Sequence, residues 1–179
     1  IFAFTAIASM MNMAHAASNG TITFSGKLSD QTCSVVLNGG SSASGTVTLP
    51  TIQINLLTSF GNTAGKTPFT LNLSGCKAST TAFGITAYFP MNSYISSNSN
   101  TLLNQETGTT AAKCVNLELL QIEGATETKV PLGKPITDTG YKYTTVAINA
   151  TSATMNYAVQ YKNTYSSSAS TAGLVKGIA

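Results

Sequence analysis

The sequence predicts an all-β fold, an antiparallel sandwich or barrel, and three observations carry that prediction. Apolar and polar residues alternate in many short runs, each bounded by clusters of Gly, Pro, Asn or Ser. The composition is 42% apolar and only 8% charged, with abundant Thr, Ser, Ala and Asn. Helices normally carry Glu, Lys and Arg on their wet faces, so this balance favours strands. No segment sustains a helical period over several turns. The 179 residues suffice for one domain with a substantial core.

The chain opens with Ile1 to Ala16, an apolar run ending Ala14-His15-Ala16. It has the hydrophobic region and small-residue cleavage pattern of a secretory signal, without initiator Met or basic lead. It is shorter than the roughly 20 residues of a membrane span. Cleavage after Ala16 leaves an exported chain beginning Ala17-Ser18-Asn19-Gly20, in which disulfides are permitted. The next stretch, GTITFSGKLSDQTC from Gly20 to Cys33, alternates strictly, with Ile22, Phe24, Gly26 and Leu28 on one face. This comb arrives before any core exists in chain order. It is a strand that folds back or one offered to another molecule.

Ser34 to Leu37 continues as a short strand, and Asn38 to Gly45 is a loop by composition. Thr46 to Leu49 resumes alternation and stops at Pro50, as at an edge. Leu56 to Phe60 reads equally as a helical turn or a strand. Gly61 to Thr67 imitates a phosphate-binding loop but is one residue short between its glycines and lacks the strand and helix flanks, so that reading is rejected. Pro68 to Cys76 is a strand with Phe69, Leu71 and Leu73 inward, and Phe83 to Phe89 is the next, ended by Pro90. Met91 to Ala112 reads as a polar loop interrupted at Leu102-Leu103. Val115, Leu117 and Leu119 mark a strand, Gly124 to Thr128 a turn, and Val130-Pro131-Leu132 an extended piece. Tyr141 to Ile148 and Met155 to Tyr161 alternate again, Thr164 to Thr171 is a loop, and Leu174-Val175 begins a further strand.

Cys33, Cys76 and Cys114 make an odd count, one pair plus one spare, and spacing does not choose the pair. A Cys33–Cys76 bond would close a loop whose chain-entropy benefit is ~4 kcal/mol. Cys114 would then be the spare, read as a small buried hydrophobe on a strand rather than an intermolecular link.

The chemistry offered is sparse. The only histidine is His15, inside the removable signal. The mature chain therefore lacks the parts for Ser-His-Asp or Cys-His catalysis and the common zinc sites. Asp30, Glu106, Glu118, Glu123, Glu127 and Asp138 are dispersed and read as solvated surface carboxylates rather than a glycosidase pair. Nine scattered Lys, no Arg and a net charge of +3 argue against nucleic acid. Three Asn-x-Ser/Thr matches are what chance supplies in such a composition. Tyr157, Tyr161 and Tyr165 read as core packing and loop cover rather than an aromatic platform. So low a charge suits a subunit largely covered by neighbours.

With these residues in place, the chain resembles the pilins of chaperone–usher type 1 fimbriae. The resemblance rests on GTITFSGKLSDQTCSV at the start, Val47-Thr48-Leu49-Pro50, GKTPFTLNLSGC from Gly65 to Cys76, and Tyr157-Ala158-Val159-Gln160-Tyr161 followed by a small-residue loop and Ala172-Gly173-Leu174-Val175. It implies an incomplete immunoglobulin-like β-sandwich lacking its final strand, with a Cys33–Cys76 disulfide and completion by donor-strand complementation. It also implies a donor extension over 17–28 ahead of a pilin domain over 29–179. Ile22, Phe24, Gly26 and Leu28 would be the donor comb, with Gly26 where a side chain would collide with the neighbour's groove. The implied partners are neighbouring subunits, a periplasmic chaperone and an outer-membrane usher, with no cofactor. The implied location is a surface fimbrium reached through the periplasm. The chain departs from the family in stopping at Lys176-Gly177-Ile178-Ala179, before the usual last motif, so the complete product is expected to run further. Cys114 is not part of the common pattern. A structural, polymerising subunit is the leading expectation. An adaptor or tip adhesin binding a host carbohydrate or protein receptor is the runner-up, and a secreted enzyme a distant third.

Overall fold

Alternation along β2 (Thr63–Ser74) and β9 (Ala153–Asn163) builds the centre of the domain, in a computed structural model that describes residues 33–179. The signal over 1–16 and the comb Ile22, Phe24, Gly26 and Leu28 lie outside the described residues.

In chain order the remaining strands are β1 (Ser34–Leu37), β3 (Phe83–Ile85), β4 (Ile95–Ser96), β5 (Thr101–Leu103), β6 (Val115–Glu123), β7 (Thr126–Lys129) and β8 (Thr144–Val146). One sheet runs β1-β2-β9-β6-β5-β4, with β7 also paired to β6, and β3 pairs with β8 in a second layer. All the strand pairs in both layers are antiparallel. This is the architecture of an incomplete immunoglobulin-like β-sandwich.

The core sits between the layers. Leu117 and Leu119 of β6 and Met155, Tyr157 and Val159 of β9 pack with Val130 and Leu132, against Phe69, Leu71 and Leu73 of β2. The inward comb expected on Phe69, Leu71 and Leu73 is therefore the one observed. Tyr157 is 1% exposed, and its ring stacks on Phe69 with centroids 5.6 Å apart. Its hydroxyl accepts the Ala87 N–H, and burial raises its pKa. Tyr161 is partly buried and Tyr165 exposed, as core packing and loop cover require.

Several local expectations are corrected. The strand expected from Pro68 begins at Thr63, and Gly65 is a bulge residue, since the β2–β9 register shifts between Ala64 and Thr67. Gly65 has φ +67°, and a Cβ there would come within 2.8 Å of the Tyr161 ring, so glycine is required. Pro68 is tolerated inside β2 because β1 pairs only with residues 71–74, leaving β2 an edge on that side. Ile54–Leu57 forms a 3₁₀ turn. The supposed loop over 91–112 contains β4 and β5, with Ile95 and Leu102 in the core, and Thr101 0% exposed. Strands of two or three residues are too short to show alternation. Gly124 to Thr128 is a tight hairpin, with pairing resuming at Thr126. Among the described residues Thr46 to Leu49 joins no ladder, although Val47 and Leu49 pack on the core. Leu174 makes a single parallel bridge to Ala111 instead of beginning a strand.

Candidate functional site: an apolar cleft into the core

The inner face of β2, β9 and β6 is not fully roofed by the second layer. Where the roof stops there is a cleft of about 550 Å³. Its floor is Phe69 and Leu71 of β2, Val159 of β9, and Leu117 and Leu119 of β6. These are alternate residues of three neighbouring strands, so their side chains share one face. One wall is the extended stretch 43–49, with Val47 and Leu49 turned to the core. The other is the chain from Val175 to Ala179. Among the described residues lining it, Lys176 is the one with a charged side chain. A second cavity of about 350 Å³ continues the cleft, sharing Leu49 and Val175 and reaching Ile54, Leu57 and Leu174.

The walls are held from outside. The Leu174 N–H donates to Thr110, and the Leu174 carbonyl accepts the Ala112 N–H. The Lys176 N–H donates to Asn104 Oδ1, and the Lys176 carbonyl accepts the Gln105 N–H. This fixes 174–176 along one edge and leaves its other edge toward the cleft. On the opposite wall, Tyr161 Oη donates to the Pro50 carbonyl, and burial raises the pKa of Tyr161. Among the described residues, no backbone hydrogen bond to 45–49 is formed. The cleft thus pairs an apolar floor with backbone edges able to take a strand.

Directly behind the floor, on the other face of β6, lies Glu118. It is 5% exposed, contrary to the expected solvated carboxylate. The β6–β9 register sets it opposite Gln160, whose side-chain amide donates to it at 2.9 Å. Lys162 donates to it as well, and Lys129 stands 3.5 Å away. Burial alone would raise its pKa, but the two hydrogen bonds and two lysine charges hold it below the ordinary value. Lys129 also donates to the Ser99 carbonyl in the turn between β4 and β5. Burial beside Lys162 lowers the Lys129 pKa, and Glu118 only partly opposes this.

Cys33 and Cys76 are disulfide-bonded, so the chain enters the domain pinned beside the start of β1. Cys114 is free and partly exposed, with φ +59° at the residue before β6, and so is not the buried strand residue expected. Sequence reasoning assigned no role to the cleft residues. The signal for the floor was present in the alternation of Leu117, Leu119 and Val159. That the walls close around it depends on residues 43–49 and 175–179 meeting, which no local pattern reports.

An all-β domain with an apolar cleft running into its core, edged by backbone, belongs to the class of binding and assembly proteins. Sequence comparison gives the family. The family described as Fimbrial protein matches residues 22–179. The chain is 37% identical over 160 residues to the major fimbrial subunit SMF-1 of Stenotrophomonas maltophilia, covering 88% of this chain and 86% of that one. It is 38% identical over 169 residues to the F17 fimbrial protein of Escherichia coli, covering 93% and 87%. A major fimbrial subunit of Haemophilus influenzae is 34% identical over 127 residues, covering 67% and 58%. The chain belongs to the fimbrial protein family.

Proposed function

We propose that this structural fimbrial subunit polymerises by strand addition, the comb Ile22, Phe24, Gly26 and Leu28 of one copy filling the cleft of the next. The observation that carries this is the cleft itself: apolar floor, backbone-edged walls, and a volume of about 550 Å³. An added strand satisfies a row of backbone donors and acceptors while burying its apolar face. Burying Ile22, Phe24 and Leu28 would contribute roughly 1.5–3 kcal/mol each. Together with the ladder, that makes a long-lived joint without a covalent bond. The absence of a side chain at Gly26 would let the donor lie flat against the floor, as the family resemblance implies.

On this reading the protein does no catalysis. Its role is mechanical: it builds a surface fibre that supports adhesion. Before assembly, an exposed apolar cleft is an aggregation hazard. A periplasmic chaperone that covers it and an outer-membrane usher where exchange occurs are the partners this hazard calls for. The leading apolar segment and the Cys33–Cys76 disulfide support export through the periplasm, a compartment that permits disulfides.

The test is to replace Gly26 with Leu in the full chain and image fibres on expressing cells. The expected outcome is loss or severe shortening of fibres with the subunit still exported. Fibres of parental number and length would contradict the proposal.

A further inference from the structure

The cleft does not end in polar surface. Around the C-terminal end of β9, five large apolar side chains stand exposed: Ile54, Leu56, Phe60, Tyr165 and Leu174, between 49% and 64%. Single exposed apolar residues are ordinary, but five around one strand end form a patch. The loops that carry most of them are tied down. Asn163, fully buried, donates through its side-chain amide to the carbonyls of Leu57 and Ser168. Its backbone exchanges hydrogen bonds with Gly61 and Asn62, and its Oδ1 accepts the Tyr165 N–H. Ser170 N–H donates to Leu57. These side chains are therefore held outward by a hydrogen-bonded scaffold. Ile54 and Leu174 also line the cavity that continues the cleft, so patch and cleft are contiguous.

Cys33, the first described residue, lies at the opposite end of β9. Cys33 is bonded to Cys76, whose N–H donates to Thr151 just before β9 begins. From Ala153 to Asn163, β9 covers about 33 Å at ~3.3 Å per residue. In a second copy, the five residue-to-residue steps from Leu28 to Cys33 could span at most roughly 17 Å. A copy whose comb fills the cleft must therefore hold its body against one cleft end or the other. At the end near Leu37 and Gly45, two Cys33 ends would meet and their extensions would lie side by side. That arrangement permits reciprocal exchange and a closed pair. At the other end the join is head-to-tail and stays open to further growth, which is what a fibre needs.

We propose that the apolar face of Ile54, Leu56, Phe60, Tyr165 and Leu174 docks the Cys33 end of a second copy of this chain, forming a body-to-body contact beside the inserted strand. This rests on the strand-addition reading. The second contact acts at the high effective concentration set by a short tether, so it lengthens the life of each joint and restricts its hinge.

The test compares full-length chains carrying Phe60→Asp or Leu56→Asp with an Ile136→Asp control, another exposed apolar residue, whose carbonyl accepts the Tyr143 hydroxyl beside β8. Each is measured for binding of a synthetic peptide of residues 19–32 and for the rate at which subunits leave assembled fibres. The patch variants are expected to bind the peptide within about twofold of the parent but to lose subunits about tenfold faster. The Ile136 variant is expected to match the parent in both. Patch variants that dissociate at the parental rate would overturn the docking face while leaving strand addition intact. Peptide binding that falls as far as fibre lifetime would also overturn it, because the patch would then be only part of the cleft. A parent chain that does not bind the peptide at all would overturn the strand reading, and the docking face with it.

Discussion

Tyr157 and Val159 lie two residues apart on the same face of β9, yet they face different surroundings. Around Tyr157 the chain finishes its own core: Ala87 donates to the hydroxyl, Phe69 stacks on the ring from the edge of the cleft floor, and Tyr157 is left 1% exposed. Around Val159 the floor is flanked by 43–49 and 175–179, stretches that join no ladder among the described residues. One strand thus serves a sealed half and a half left open among the described residues. Completeness is set by the roof and not by the floor, whose apolar alternation is equally good in both halves.

The largest expected effect comes from breaking the sealed half. Tyr157→Ala should cost about 3–5 kcal/mol by chemical denaturation of the isolated subunit, since it empties a fully packed site. Added peptide of residues 19–32 should not recover that loss, because the peptide acts at the other half.

Leu119→Ala sharpens the contrast. It should cost less, about 2–3 kcal/mol in the isolated subunit, since one side of Leu119 faces the cleft. It should also weaken peptide binding, which Tyr157→Ala should alter far less for the fraction that folds. Paired denaturation curves with and without peptide read both quantities.

A smaller effect comes from behind the floor. Glu118 has its pKa lowered on folding, so its contribution to stability is present above the unfolded value of about 4.3 and is lost as pH falls through the folded value. The parent should lose stability on acidification below about pH 4.5. Glu118→Gln should show a shallower fall across that range from a lower starting point, about 1–3 kcal/mol at neutral pH, because Lys162 and Lys129 lose their carboxylate. Hydrogen exchange of the β6 amides in acid should rise at Leu117–Leu119 before it rises at Tyr157. Simultaneous loss at both sites would merge the two halves into one unit.

The inward face of the central strands, in the sealed half and on the cleft floor alike, was legible in the sequence. The alternations Phe69-Leu71-Leu73, Val115-Leu117-Leu119 and Tyr157-Val159-Tyr161 are local, and a period of two is enough to assign strands and their buried faces. What was not legible is non-local. β4 and β5 are too short for a period, and their burial comes from pairing with each other and with β6. Glu118 looked like a surface carboxylate because only the β9 register brings Gln160 and Lys162 across from it. The stretches 46–49 and 174–175 have strand composition but find no ladder on the cleft side, so local alternation predicted strands where the fold has walls. The role of the comb at Ile22 to Leu28 came from family resemblance and is a matter for experiment.

The central claim is that the cleft is a site for the chain's own N-terminal segment supplied by another copy. The most direct measurement is thermal unfolding of the monomeric subunit with a synthetic peptide of residues 19–32, beside the same peptide carrying Gly26→Leu. Ligand that binds only the folded form raises the melting temperature by mass action. The account predicts a marked, saturable rise with the native peptide and little or none with the substituted one. Equal effects from the two peptides, or no effect from either, would contradict it.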